Sequence, residues 1–277
     1  MSEQKAEPSR LALGGHSFIE ALGNDPEASF DEQCAIVAAC LDAGVGRIDT
    51  TYYQERVALG HVLRRLGRRD EATILAWNFF RQPGKESDLV GPTAYEPGHL
   101  PVLLDELQTD RIDLLVIHAH DDMNRLREEM ALAREWRRAG TVKGVGLGMV
   151  RPHHLDRLPD DHPITHVLAP YNAFNPDAAE TFRAAKARGL TVIAMSPFLR
   201  GWKLDEIVKS GEDRATVADL LLRWAAFQPL VDHVIVSIRR REWVAANLQS
   251  LARGPLTSDE QARLDAWLAR LQQKAKT

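Results

Sequence analysis

Carboxyl, phenol and imidazole groups recur in this chain directly beside short apolar runs. The segment "RIDTTYYQER" places Asp49, Tyr52, Tyr53 and Glu55 within seven residues. "LLVIHAHDD" presents His118 and His120, and "LALGGHSF" adds His16. These side chains suit proton transfer. An unperturbed imidazole titrates near about 6.5, and a phenol, near about 10, donates a proton or hydrogen bond at neutral pH. Other apolar runs end in Trp77 and Asn78 ("ATILAWNF"), in Met195 and Arg200 ("VIAMSPFLR"), and in Ser237 with Arg239, Arg240 and Arg241 ("VIVSIRRR"). Such dispersed groups act together only if the fold gathers them.

The apolar runs provide the means. Strands are expected at 11–15, 47–50, 72–77, 113–120, 142–148, 166–172, 191–197 and 233–238. Most are continuously apolar, as in parallel strands covered on both faces. Amphipathic helical patterns lie between them, several ending at a Gly such as Gly44, Gly140 or Gly189. Eight such units in one chain of 277 residues predict a single-domain α/β protein over 1–277, a (β/α)₈ or TIM barrel. A doubly wound sheet is the alternative, but "LGGHSF" matches its Gly-rich turn poorly. "GVGLGM" falls on the fifth strand instead of opening the first helix. In a barrel the C-terminal strand ends form the active face, which turns the residues above into one shortlist. The longest irregular stretch, "RQPGKESDLVGPTAYEPG", follows the third strand and is expected to be functional or mobile, or to cover the pocket.

Composition excludes several classes. A formal net charge of −4 supplies no electrostatic attraction to nucleic acid or an anionic membrane. No 18-residue apolar window occurs, so no membrane span is expected. The polar start "MSEQKAEPSR" lacks the apolar core of a signal peptide, and the two cysteines, Cys34 and Cys40, share one amphipathic helix as buried thiols. A cytoplasmic protein acting on a small molecule is the expectation.

At the strand ends the sequence resembles the aldo-keto reductases over nearly its whole length. The resemblance is carried in order by "DAGVGRIDTTYYQERVALG", "LQTDRIDLLVIHAHDD", "RRAGTVKGVGLGMV", "YNAFN", "VIAMSPF" and "VIVSIRRREWVAANL". It implies NADP(H)-dependent reduction of carbonyls or oxidation of alcohols by an Asp, Tyr, Lys and His tetrad. Asp49 and His118 match the Asp and His. Tyr53 matches the Tyr when counted back from Gly60, although the interval from Asp49 is one residue short, which keeps Tyr52 as a rival. Trp77, or else Asn78, stands where the Lys belongs, and Lys85 lies in the following loop.

The cofactor side departs further. Gly148, Met149 and Leu168 occupy the positions of the family's Ser, Asn and Gln that hold the nicotinamide amide. Met195 replaces the ring that stacks on it. Ser237, Arg239, Arg241 and Asn247 could still meet a phosphate if a nucleotide binds.

Hydride transfer needs a closely held near-attack geometry, and these changes remove its anchors. The substitutions make the barrel floor more apolar while leaving acid/base groups beside it. Hydride-free chemistry of the lyase or isomerase type on a small carbonyl, polyol or keto-sugar compound is therefore expected. In it His118 abstracts a proton alpha to the carbonyl while Tyr53 holds the enolate oxygen. The rivals are a divergent NADP(H) reductase and a non-catalytic binding barrel. Asp49 needs a new partner in place of the Lys, and His16 and Asn78 are the candidates. His16, Tyr52, Trp77, Asn78, His120, Met195 and Arg200 are expected to line the pocket. The "HAH" pair could bind a metal with His16 or Asp49 if it shares a face, but no further ligand motif follows and no metal is expected. His153 and His154 are read as surface residues.

Overall fold

A computed structural model describes residues 9–19, 27–85 and 87–274. Most of the N-terminal segment read above for a signal peptide lies outside the described residues.

Eight strands close into an all-parallel barrel, each pairing with its sequence neighbour and β8 returning to β1. They are β1 (Leu11–Leu13), β2 (Arg47–Tyr52), β3 (Thr73–Phe79), β4 (Ile112–His118), β5 (Val142–Gly148), β6 (Ile164–Pro170), β7 (Thr191–Met195) and β8 (His233–Val236). All eight expected runs are strands, their ends agreeing to within two residues and those of β5 coinciding.

The continuous apolar runs divide by parity. Ala12, Leu75, Trp77, Phe79, Leu114, Val116, Leu168, Ile193 and Ile235 fill the barrel interior. Their neighbours along each strand, such as Ile48, Ile74, Leu115 and Val192, form the larger core under the helices.

The helical layer includes α1 (Phe30–Asp42), α2 (Tyr53–Leu66), α3 (His99–Glu106) and α4 (Met123–Arg138). Side chains begin these helices where the backbone donors would lack partners: Ser29 accepts from Glu32 N, and Asp122 from Asn124 N and Arg125 N. Cys40 is buried in α1, its thiol pushed up to about 12 by burial, while Cys34 is only half-buried.

The register of β2 on β3 shifts at one point. Thr50 pairs with Ala76, but Tyr52 pairs with Phe79, so β3 takes one more step than β2. This irregularity decides which tyrosine reaches the interior. The long loop after β3 is tied down at its far end, where Thr93 N donates to Asn78 O at 2.7 Å. The Tyr95 hydroxyl lies 3.2 Å from the carbonyl oxygens of both Ala76 and Val116. Tyr95 is buried under the outer face of β3 and β4, which anchors this part of the loop to the flank of the barrel.

Candidate active site

Strand parity carries Asp49 of β2 and Trp77 of β3 to the interior. The Trp77 indole Nε1 donates to Asp49 Oδ1 at 2.7 Å, inside the barrel. The expected partners are His16 or Asn78; neither bonds to Asp49, although His16 lies near enough to oppose the rise in its pKa. Trp77 replaces the cation with a neutral N–H donor that satisfies one carboxyl oxygen but supplies no charge. Burial therefore dominates, and together with nearby Glu55 it pushes the Asp49 carboxyl up from 3.8 to about 7 against the hydrogen bond from Trp77.

Asn78 faces outward because it lies between two inward residues of β3. Its Oδ1 accepts from His118 N at 2.9 Å, and its Nδ2 lies 3.4 Å from Oε1 of the buried Glu129 on α4. It fastens β4 to β3 from outside the pocket. His120 lies beyond the end of β4, where strand parity no longer holds, and its Nε2 is 2.7 Å from Glu129 Oε2. An acidic residue in "LREEMALAREW" reads as a helix surface, yet Glu129 is fully buried.

His118 closes β4 with its ring beside Trp77 and Phe79, at centroid distances of 6.3 and 5.6 Å. Its Nδ1 is 2.9 Å from Ala119 O. A carbonyl only accepts, so Nδ1 carries the hydrogen and Nε2 is the lone-pair nitrogen of the neutral ring. Burial, more than any neighbour, lowers the pKa of His118 and favours that neutral form.

Tyr52 packs against the interior cluster, edge-on to Phe79 at 5.3 Å and stacked with His16 at 6.0 Å. Burial foremost, and then Glu55, raise its phenol pKa, while Arg200 opposes them. Tyr53 is half-buried as the first residue of α2. His16 lies in a 3-10 turn, Gly15–Phe18, with Nδ1 2.6 Å from Glu55 Oε1. Met195 packs partly against the same cluster, and Arg200 lies over the exposed Trp202 ring at 5.4 Å with a left-handed φ of 59°.

The positions expected to hold a nicotinamide are coupled to Trp77. A Cβ on Gly148 would overlap the Trp77 ring, so the indole fills the room where the resemblance places a serine side chain. Leu168 is buried and apolar, and Met149 is exposed with a φ of 54°. These side chains therefore do not fit a nicotinamide amide in the family's manner.

At the other end Arg239 is only 4% exposed. Its guanidinium donates to His16 O at 3.1 Å and Ile19 O at 2.9 Å, so it braces the first loop instead of offering itself to a phosphate. The helix Glu242–Ala252 begins just after the Arg run, and Arg241 N already donates to Glu32 Oε1 at 2.7 Å. Ser237 and Arg241 are exposed and Asn247 is half-buried.

Among the described residues, Asp121, His153 and His154 bring potential metal ligands together. The hydrogen bonds oppose that use. His154 Nδ1 accepts from Arg151 N at 3.1 Å, so the neutral ring carries its hydrogen on Nε2, which lies 3.2 Å from Asp121 Oδ1. His154 is also buried, contrary to the surface expectation, because it closes the first turn of the short α5 helix (Pro152–Asp156). The "HAH" pair forms no such group, since its two imidazoles bond to different partners.

The fold and the strand-end residues define an aldo/keto reductase barrel. The family's sequence model matches residues 10–211 and 202–269, and the chain belongs to the aldo/keto reductase family. It is similar to aldo-keto reductase YhdN of Bacillus subtilis (strain 168), with 26% identity over 210 residues, covering 70% of this chain. The match spans 60% of that relative's length. Among solved structures it is similar in fold to aldo-keto reductase AKR11C1 from Bacillus halodurans in its holo form. The TM-score is 0.72 at 19% identity, over 94% of this chain and 92% of that one. No helix among the described residues is long and apolar enough to cross a membrane.

Proposed function

We propose that this barrel carries out hydride-free acid/base chemistry on a small hydroxylated carbonyl compound of the keto-sugar type. One observation carries the reading. Trp77 at once replaces the tetrad cation beside Asp49 and fills the space over Gly148. A single side chain thus removes the charge that would activate the phenol and the position that would orient a nicotinamide amide.

In the proposed reaction His118 Nε2 takes the proton from the carbon next to the carbonyl. Its lowered pKa keeps the ring neutral and able to accept. Tyr52, facing the interior, takes the part that the sequence assigned to Tyr53. Its hydroxyl donates to the carbonyl oxygen as negative charge develops there. A raised phenol pKa suits this work, because the group must keep its hydrogen to donate it. Asp49, titrating near 7, can exchange a proton at neutral pH. Phe79, Trp77 and Leu168 form an apolar wall that strengthens these electrostatic interactions.

A second reading, NADP(H)-dependent reduction, is favoured by family membership and by the exposed Ser237 and Arg241 near the start of the helix Glu242–Ala252. Titration with NADPH and NADH, followed by ligand fluorescence, separates the two. No binding at millimolar cofactor, with exchange of the alpha proton of a ketose into D₂O, is expected. Tight binding with cofactor-dependent carbonyl reduction would replace the first reading with the second.

A further inference from the structure

At the end of the barrel opposite the active face, the strand registers define a layer of side chains that the chemistry above does not use. Interior layers come from alternate strands, because each strand is staggered on the next by about one residue. Arg47 pairs with Thr73, and Leu75, two residues on, pairs with Leu114. Leu114 pairs with Gly144, and Gly146 pairs with His166. His166 pairs with Thr191, and Ile193 pairs with His233. The circuit closes through β1, where Leu11 pairs with Val234 and Leu13 with Ile48, the residues next to His233 and Arg47. Arg47, Leu114, His166 and His233 therefore form one interior layer, drawn from β2, β4, β6 and β8. Ala12, Leu75, Gly146 and Ile193 lie between it and the layer of Asp49. Solvent reaches it from outside the barrel, since Arg47 and His233 open their strands and Arg47 and His166 are half-buried.

Three of these four side chains carry nitrogen, and the hydrogen bonds fix where the imidazole hydrogens sit. Thr165 Oγ1 donates to Val145 O at 3.1 Å, so toward His166 Nδ1, 2.8 Å away, it accepts. His233 Nδ1 lies 3.0 Å from Ser9 O, which also accepts. Each neutral ring thus carries its hydrogen on Nδ1 and a lone pair on Nε2. Burial foremost, and then the Arg47 charge, hold both imidazoles down at about 4, so the guanidinium is the layer's charge at neutral pH. Among the described residues that guanidinium makes no hydrogen bond and no ion pair. Asp232 attracts it, but the Asp232 oxygens are taken by Lys186 Nζ at 2.6 and 2.5 Å and by Val192 N at 2.7 Å. Arg10, whose guanidinium donates to Ala226 O and Val231 O, adds a further cation beside His233. Arg10, Arg47 and Lys186 therefore face a single carboxylate, and a half-buried cation without its own counter-charge is unfavourable.

We propose that this layer is a binding site for a small oxyanion, of the size of sulfate or phosphate, held at the N-terminal end of the barrel by Arg47, His166 and His233. The guanidinium offers a planar fork of donors that suits paired oxygens. Each imidazole takes up a proton on Nε2 when the anion arrives, and so turns from an acceptor into a charged donor. Leu114 closes the fourth side with apolar surface and leaves the anion to the three nitrogen side chains. Binding is therefore coupled to proton uptake and tightens as pH falls below neutral. The intervening layer separates this site from Asp49, so it acts on the stability of the barrel and stands whichever reaction the active face performs.

Sulfate is the probe, because it keeps its charge across the neutral range and any proton taken up belongs to the protein. At about pH 6 and constant ionic strength, millimolar sulfate should raise Tm of the intact chain by about 2–4 °C and then saturate. Titration calorimetry in two buffers of different ionisation enthalpy should show proton uptake, and binding should weaken at about pH 8. ¹⁵N–¹H correlation should show Nε2 of His166 and His233 gaining hydrogen as sulfate is added. Arg47→Met should abolish the response, and His166→Asn or His233→Asn should weaken it by about 10-fold or more. A rise in Tm that never saturates, or that persists in Arg47→Met, overturns the inference. Should Arg47→Met fail to fold, the wild-type imidazoles decide: no change at either Nε2 under sulfate that saturates the Tm response overturns it as well.

Discussion

Trp77 and Gly148 are complementary across the barrel interior: the indole of β3 occupies the volume into which any side chain on position 148 of β5 would project. Two departures that look independent in the sequence are therefore one physical event. A large ring on β3 is compatible with β5 only if the facing residue has no Cβ.

That complementarity is measurable. Gly148→Ser should destabilise the chain by ~1–3 kcal/mol, since overpacking forces the indole or the strands to shift. Paired with Trp77→Lys, the same serine should cost much less. A double-mutant cycle read by urea denaturation would report the coupling. Additive effects would mean that the ring and the glycine do not meet.

The Asp49 carboxyl gives stability a pH dependence of definite sign. Its folded pKa of about 7 lies above the ordinary 3.8, so the folded state holds the proton more tightly than the unfolded state. This contribution is fully present below about 3.8 and is lost as pH rises through about 7. The difference between those values caps it at ~4 kcal/mol. Asp49→Asn should therefore flatten the stability profile between about pH 4 and 7, the window these values bracket, when denaturation midpoints are compared across buffers. An unchanged slope would show that Asp49 titrates at its ordinary pKa.

Asn78 joins β3 to β4 through His118 N and to α4 through Glu129. Asn78→Leu leaves a backbone donor and a buried carboxylate short of a partner, a loss of about 1–3 kcal/mol. Thermal unfolding should show it as a lower Tm, and amide exchange at His118 should quicken. Asn78→Asp, which retains an acceptor for His118 N, should keep that amide more protected.

Arg239 and Arg241 adjoin the same turn but should behave differently. Arg239→Gln removes a buried guanidinium from two loop carbonyls, a loss of order 2–3 kcal/mol, and should speed amide exchange through residues 16–19. Arg241→Gln changes an exposed side chain and should alter stability by less than about 0.5 kcal/mol. Equal effects would return Arg239 to the list of groups free to bind an anion.

The eight apolar runs and their Gly-ended helices specified the barrel, because a parallel strand covered on both faces needs a continuous apolar segment that remains visible without contacts. The strand-end rule then pointed to Asp49 and His118, and the absence of a lysine at the end of β3 was legible from residue identity alone. What the sequence could not carry was the pairing across strands. Trp77 as the partner of Asp49 depends on the direction of one ring within the barrel. That Tyr52 packs against the barrel interior depends on a register shift between Thr50 and Tyr52 that no local pattern announces. Glu55 stands out in the sequence beside Asp49 and the two tyrosines while Glu129 reads as an ordinary helix carboxylate, but only the packing of α2 and α4 against the barrel buries them beside His16 and His120. Secondary structure follows from short-range periodicity, which the sequence determines by itself. The partner of a buried polar group is set by which distant residue the closed barrel brings within about 3 Å, and only the tertiary structure decides that.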